Sequence, residues 1–152
     1  MILKDMSGYV LSPASGRITR IEKGNRTISI FMHLHNMHVT AAPLDGVVKR
    51  IIPEKGTFKP AFLRGSDFNM KNTIEEETCY GDIKIVQIAG FFTRRILCEV
   101  AEGQEIRTGD RIGKICFGSR VDVSIPKGFM IIVKKGDKVK CRKTVIAVAH
   151  SQ

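Results

Sequence analysis

The sequence predicts a mainly β domain, a small closed or sandwiched structure with few short helices. Three observations carry that reading. Stretches with helical periodicity are sparse, apolar residues alternate with polar ones or come in short β-branched runs, and 14 glycines fall at turn-like intervals. Ile28-Ser29-Ile30-Phe31-Met32-His33-Leu34 is the first clear strand. Val47 to Ile52 and Ile83 to Ile88 follow, then Ile96 to Val100 and Met130 to Val133. Thr93 to Arg95 suits a short turn or helix. Arg64 to Tyr80 is polar, with Ser66, Asp67, Asn69, Asn72 and the run Glu75-Glu76-Glu77, and reads as a long loop carrying solvated glutamates.

Two internal echoes sharpen the architecture. Pro13-Ala14-Ser15-Gly16-Arg17-Ile18 resembles Pro43-Leu44-Asp45-Gly46-Val47-Val48, and the stretch from Val100 to Gly113 resembles that from Val133 to Ile146. Each of the latter places a glycine turn, a short strand, a second turn and an apolar strand in that order. Repeated short strands favour closure, because closing a sheet removes its exposed edges. The V-x-x-G phrasing is similar to that of the lipoyl and biotinyl carriers, which implies a barrel-sandwich-hybrid-like fold. The lysine-bearing hairpin of those carriers is absent, so the resemblance extends to fold and not to carrier function.

At 152 residues the chain is expected to form one domain, 1–152, burying roughly two thirds of the surface its unfolded form exposes. Its apolar share of 43% and charged share of 26% exclude wholesale disorder. The longest nearly apolar stretch, Ile85 to Phe92, is far shorter than the ~20 residues of a spanning helix, and Met1 to Asp5 lacks the features of a signal peptide. Cys79, Cys98, Cys116 and Cys141 form no C-x-x-C pair and read as reduced thiols of a cytoplasmic protein. His33, His35 and His38 are not completed by a spaced Cys or carboxylate, so no metal site is expected. The net charge is +10, of which +6 lies between Arg120 and Gln152. Such a concentration attracts an anionic partner, at ~1 kcal/mol per basic side chain for an anionic membrane. Single-stranded nucleic acid is the weaker candidate, since zero Trp and two Tyr offer few stacking platforms.

The segment with chemistry of its own is Phe117-Gly118-Ser119-Arg120-Val121-Asp122, between two apolar strands. Glycine permits a sharp bend and leaves its carbonyl open to the next residue's hydroxyl. In a strained turn that hydroxyl can attack, moving the acyl group from nitrogen to oxygen. Elimination of the ester and hydrolysis then leave a pyruvoyl group at a new amino terminus, an electrophile made from the chain itself.

This segment resembles the F-G-S-R-V-D processing signature of the short phosphatidylserine decarboxylase family. Further matches follow in register. Ser12-Pro13-Ala14-Ser15-Gly16 is similar to S-P-A-D-G, and Ile30-Phe31-Met32 with Met37-His38-Val39 is similar to I-F-M-S-P-x-D-V-H-V. Lys55-Gly56-Thr57-Phe58-Lys59-Pro60-Ala61-Phe62 and Val86-Gln87-Ile88-Ala89-Gly90 with Arg94-Arg95-Ile96 match two more family elements, and Asn69-Met70-Lys71-Asn72 is faintly similar to N-E-R-N.

The resemblance implies self-cleavage between Gly118 and Ser119 into chains of residues 1–118 and 119–152, with a pyruvoyl cofactor derived from Ser119. It implies a lyase that decarboxylates a serine phospholipid, phosphatidylserine or archaetidylserine, while peripherally bound at the inner face of the cell membrane. His38 matches the family's proton donor. Arg94, Arg95 and Arg120 are the candidate contacts for substrate phosphate or carboxylate. Phe91 and Phe92 are core or the wall of an acyl entrance, and a homo-oligomer is compatible with the pattern. The chain departs from the family at Ser15, where relatives carry Asp, at Ala41, where they carry Arg or His, and at His33-Leu34-His35-Asn36. Asp45 is the nearest alternative carboxylate by motif. The rival expectation is a non-catalytic basic β-barrel relative that binds phospholipid or nucleic acid without cutting itself.

Overall fold

A computed structural model describes residues 8–32, 38–56, 69–90, 96–115 and 118–150. Among these there are strands and turns but no helix, as a mainly β reading requires. The expected turn or helix at Thr93 to Arg95 lies outside the described residues. The strands are β1 (Tyr9–Leu11), β2 (Gly16–Glu22), β3 (Thr27–Phe31), β4 (His38–Ala41), β5 (Gly46–Glu54), β6 (Lys71–Thr78) and β7 (Gly81–Ile88). They continue as β8 (Ile96–Cys98), β9 (Glu105–Ile106), β10 (Arg111–Ile115), β11 (Arg120–Ser124), β12 (Phe129–Ile131), β13 (Lys138–Val139) and β14 (Val145–Ala149). Eight of them form one antiparallel sheet in the order β13-β2-β3-β11-β7-β6-β5-β9. Two three-stranded sheets, β1-β14-β12 and β4-β10-β8, complete the fold. Ile18, Ile28, Ile30, Ile74, Ile83, Ile85, Ile112, Val121 and Phe129 meet in a single core, which supplies the burial that short strands need.

The sequence echoes are a twofold repeat of structure. Gly16 and Arg17 of β2 pair with Val139 and Lys138, as Gly46 and Val47 of β5 pair with Ile106 and Glu105. The Ile18 amide donates to Asp137 O and the Gly136 amide to Ile18 O, and Val48 does the same with Gln104 and Gly103. The eight-stranded sheet therefore ends at both edges in equivalent two-residue strands.

One expectation is overturned. Lys71 to Thr78, read as part of a polar loop, is strand β6, paired along its length with β5 and β7. Of its three glutamates only Glu77 is exposed. Glu75 sits opposite Arg50 on one neighbour and Lys84 on the other, with ion pairs of 3.1 and 3.8 Å. Glu76 is fully buried. Desolvation, reinforced by the nearby Asp45 charge, pushes its carboxyl up to about 9, so it stays protonated at neutral pH. Charge compensation across strands, invisible in a one-dimensional pattern, turned a glutamate run into a central strand.

Candidate active site

Strand β10 ends at Ile115 and β11 begins at Arg120, with Gly118-Ser119 between them. Gly118 has φ of +78°, a left-handed conformation in which a Cβ is strained, so the bend demands glycine. Its amide donates to Met32 O at 3.1 Å, and the Met32 amide donates to Ser119 O at 2.9 Å. Both residues of the junction are buried, Ser119 completely. Directly beyond, Arg120 lies opposite Phe31 of β3 and Ile88 of β7. The 118–119 peptide is therefore held where β3 and β7 end, with Met32 on one side and the Ala89-Gly90 segment on the other.

Strand β4 begins at His38, whose backbone is opposite Ile115, and Ile115 is opposite Ile96 on its other flank. The start of β4, the start of β8 and the end of β10 thus gather at one end of the β4-β10-β8 sheet, one residue pair from the segment leading into Gly118. Arg94 and Arg95 precede Ile96 in the chain but lie outside the described residues, as do His33, His35, Phe91, Phe92, Cys116 and Phe117. Arg120 is 6% exposed and forks onto Asp122, with Nε to Oδ1 at 3.0 Å and Nη2 to Oδ2 at 3.2 Å. Cys79, Cys98 and Cys141 are free thiols, and burial pushes the Cys141 thiol pKa up.

The repeat locates the departure at Ser15 and the alternative carboxylate, Asp45. Ser15 Oγ accepts from the Cys141 amide at 2.8 Å. At the equivalent place in the other half, Asp45 Oδ1 accepts from the Thr108 amide at 2.6 Å and the Thr108 hydroxyl at 3.0 Å. Asp45 is therefore the counterpart of Ser15, capping its own turn across the repeat. A cleft of about 370 Å³ opens beside Asp45, Gly46, Glu77 and Arg107, and the Gly118-Ser119 junction is not among the described residues that line it.

Several residues around the junction carry no signal that composition or charge could raise. Met32 acts through its backbone alone. Asn69 and Gln87 are buried polar side chains, and only their places in weak motifs mark them. Gln87 accepts from Asn72 Nδ2 at 3.1 Å and donates to Thr40 Oγ1 and Leu97 O at 3.3 Å each, tying β6 and β7 to the sheet that holds His38.

Fold and junction together define a class: a mainly β domain with an internal repeat that buries a bent Gly-Ser peptide where its sheets converge. The chain belongs to the phosphatidylserine decarboxylase family, whose model matches residues 2–147. It is 45% identical over 139 residues to a Methanosarcina mazei protein bearing the name archaetidylserine decarboxylase proenzyme, covering 91% of this chain and 66% of that one. A Streptomyces avermitilis protein named phosphatidylserine decarboxylase proenzyme is 42% identical over 134 residues, covering 86% and 62%. A Nitrosomonas eutropha protein of the same name is 38% identical over 156 residues, covering 96% and 72%. The chain spans about two thirds of the length of these relatives. No solved structure matches significantly.

Proposed function

We propose that the chain cuts itself between Gly118 and Ser119 and then decarboxylates a serine phospholipid, phosphatidylserine or its archaeal ether counterpart. The observation that carries this reading is the junction itself, a buried Gly-Ser peptide with Gly118 at positive φ and both flanking amides engaged through Met32. In the cut, the Ser119 hydroxyl adds to the Gly118 carbonyl carbon, and the C–N bond breaks to give an ester and a free amine. Elimination breaks the Ser119 Cβ–Oγ bond, releasing the Gly118 carboxylate, and hydrolysis releases ammonia and leaves the pyruvoyl group on residue 119. That group supplies an electron sink for loss of carbon dioxide. A site without a side chain at 118, in a desolvated pocket, suits it.

In this reading His38, which opens β4 at the same end of the fold, supplies the proton to the product carbon. Arg94 and Arg95 are the substrate-anion contacts. Arg120, which forks onto Asp122, is the third candidate contact. Membrane association is peripheral in this reading, at the inner face of the cell membrane, held by a basic surface. The surface for it is the β1-β14-β12 sheet, where Tyr9 and Met130 both sit opposite Val148. Tyr9, Met130 and Ile132 are half exposed there, and exposed Lys127, Lys134 and Lys135 flank them in sequence. The deciding assay is carbon dioxide release from vesicles containing a serine phospholipid, with Ser119→Ala as control. Release by the wild-type chain and none by the variant supports the reading. No release from either leaves the non-catalytic lipid- or nucleic-acid-binding relative.

A further inference from the structure

The Gly118 carbonyl, the bond under attack in the proposed self-cleavage, lies against backbone. A Cβ placed on Gly90 would overlap the Gly118 carbonyl oxygen and stand 2.8 Å from its carbon, inside the 3.0 Å that real Cβ atoms keep. Gly90 is buried and directly follows Ala89. Ala89 is pinned twice: its amide donates to Met70 O at 2.9 Å, and its carbonyl accepts from Asn69 Nδ2 at 2.7 Å. Asn69 is 1% exposed. The carbonyl thus rests on a wall with no side chain, and the wall is fixed from behind by a buried amide.

We propose that Gly90 is a positioning residue for the self-cleavage, with Asn69 holding it in place; the inference rests on the reading that the chain cuts itself. Met32 fixes the peptide groups on either side of the junction, accepting from Gly118 N and donating to Ser119 O. Gly90 fixes the remaining freedom, the direction of the Gly118 C=O, and hence the face of the carbonyl carbon presented to the Ser119 hydroxyl. A methyl at position 90 forces the carbonyl to move by roughly 1 Å. A displacement of that size costs about 100-fold in the rate of a reaction that depends on alignment.

Close approach of a glycine to a carbonyl occurs elsewhere in this fold, which supplies a steric control. A Cβ at Gly46 would overlap Glu77 O, at a place that holds no Gly-Ser peptide. Gly46→Ala therefore carries a comparable clash with a backbone carbonyl, joined by one with Glu76 Oε2 at 2.7 Å, and no reacting carbonyl stands beside it.

The test follows chain cleavage over time in the full-length wild type, Gly90→Ala, Asn69→Ala and Gly46→Ala proteins. Each rate is normalised to the folded fraction and set beside the thermal midpoint. Gly90→Ala is expected to cut about 100-fold more slowly and Asn69→Ala more slowly by a smaller factor. Gly46→Ala is expected to lose stability and cut at the wild-type rate. Molecules of Gly90→Ala that do cut are expected to release carbon dioxide at the wild-type rate per pyruvoyl group, since Gly118 is by then a separate chain end. Wild-type cutting by Gly90→Ala overturns the proposal and leaves self-cleavage standing. So does a loss in Gly46→Ala equal to that in Gly90→Ala. Asn69→Ala adds no bulk, so where Gly90→Ala does not fold, an unchanged rate in Asn69→Ala overturns the proposal. A wild-type chain that never cuts overturns it together with the reading beneath it.

Discussion

Replacing Glu76 by Gln tests the least expected feature of the core. Both Glu76 carboxyl oxygens are buried without a hydrogen-bond partner, as is Asp45 Oδ2, and burial raises the Glu76 pKa from 4.5 to about 9. In the unfolded chain the group ionises near 4.5. Below that pH both states hold the proton and the stability is fully present. Between pH 4.5 and about 9 only the folded state holds it. Stability therefore falls by about 1.4 kcal/mol per pH unit as pH rises, and the loss is complete above the folded pKa. At pH 7 the wild-type chain has lost on the order of 3 kcal/mol through this one residue. Glutamine has nearly the same shape and does not titrate, so contributions from all other groups cancel in the difference. The assay is urea unfolding of both proteins at intervals from pH 5 to 9, in a Ser119→Ala background so that each is one chain. Glu76→Gln gains relative to wild type as pH rises, by about 3 kcal/mol between pH 5 and 7. Parallel pH profiles refute the argument and show Glu76 charged in the fold.

Gln87→Ala strands Asn72 and Thr40 in the core and lowers stability by about 1–3 kcal/mol, measured by denaturant midpoint. Glu99→Ala, in contrast, removes an exposed ion pair with Arg111 and leaves the thermal midpoint essentially unchanged. His38→Ala, in whatever fraction becomes cut, abolishes carbon dioxide release; undiminished turnover removes His38 from proton donation. Met130→Asp combined with Lys134→Glu and Lys135→Glu releases the protein from vesicles of anionic lipid. Raising salt does the same to the wild type; sedimentation with neutral vesicles at equal strength contradicts the basic-surface account.

The strand at Ile83–Ile88 was legible because Ile83 and Ile85 alternate with Lys84 onto one buried face, and that at Val47–Ile52 because its β-branched pairs suit a strand. The repeat was legible because equivalent turns need equivalent glycines. Strand β6 was not legible, since Arg50, Lys84 and burial of Glu76 neutralise its charges only after the sheet has formed. At the site, the Gly-Ser peptide announces itself by chemistry and His38 by motif. The wall at Gly90 does not, because a glycine that admits a carbonyl looks in sequence like any other. Asp45, the nearest alternative carboxylate by motif, caps the Thr108 turn, a pairing that only the folded repeat reveals.

The most direct measurement is the mass of the purified, denatured protein. Two chains breaking between residues 118 and 119 are expected, the smaller beginning with a ketone that borohydride reduction in the presence of an amine will label. A single unbroken chain of 152 residues, unlabelled after long incubation, contradicts it.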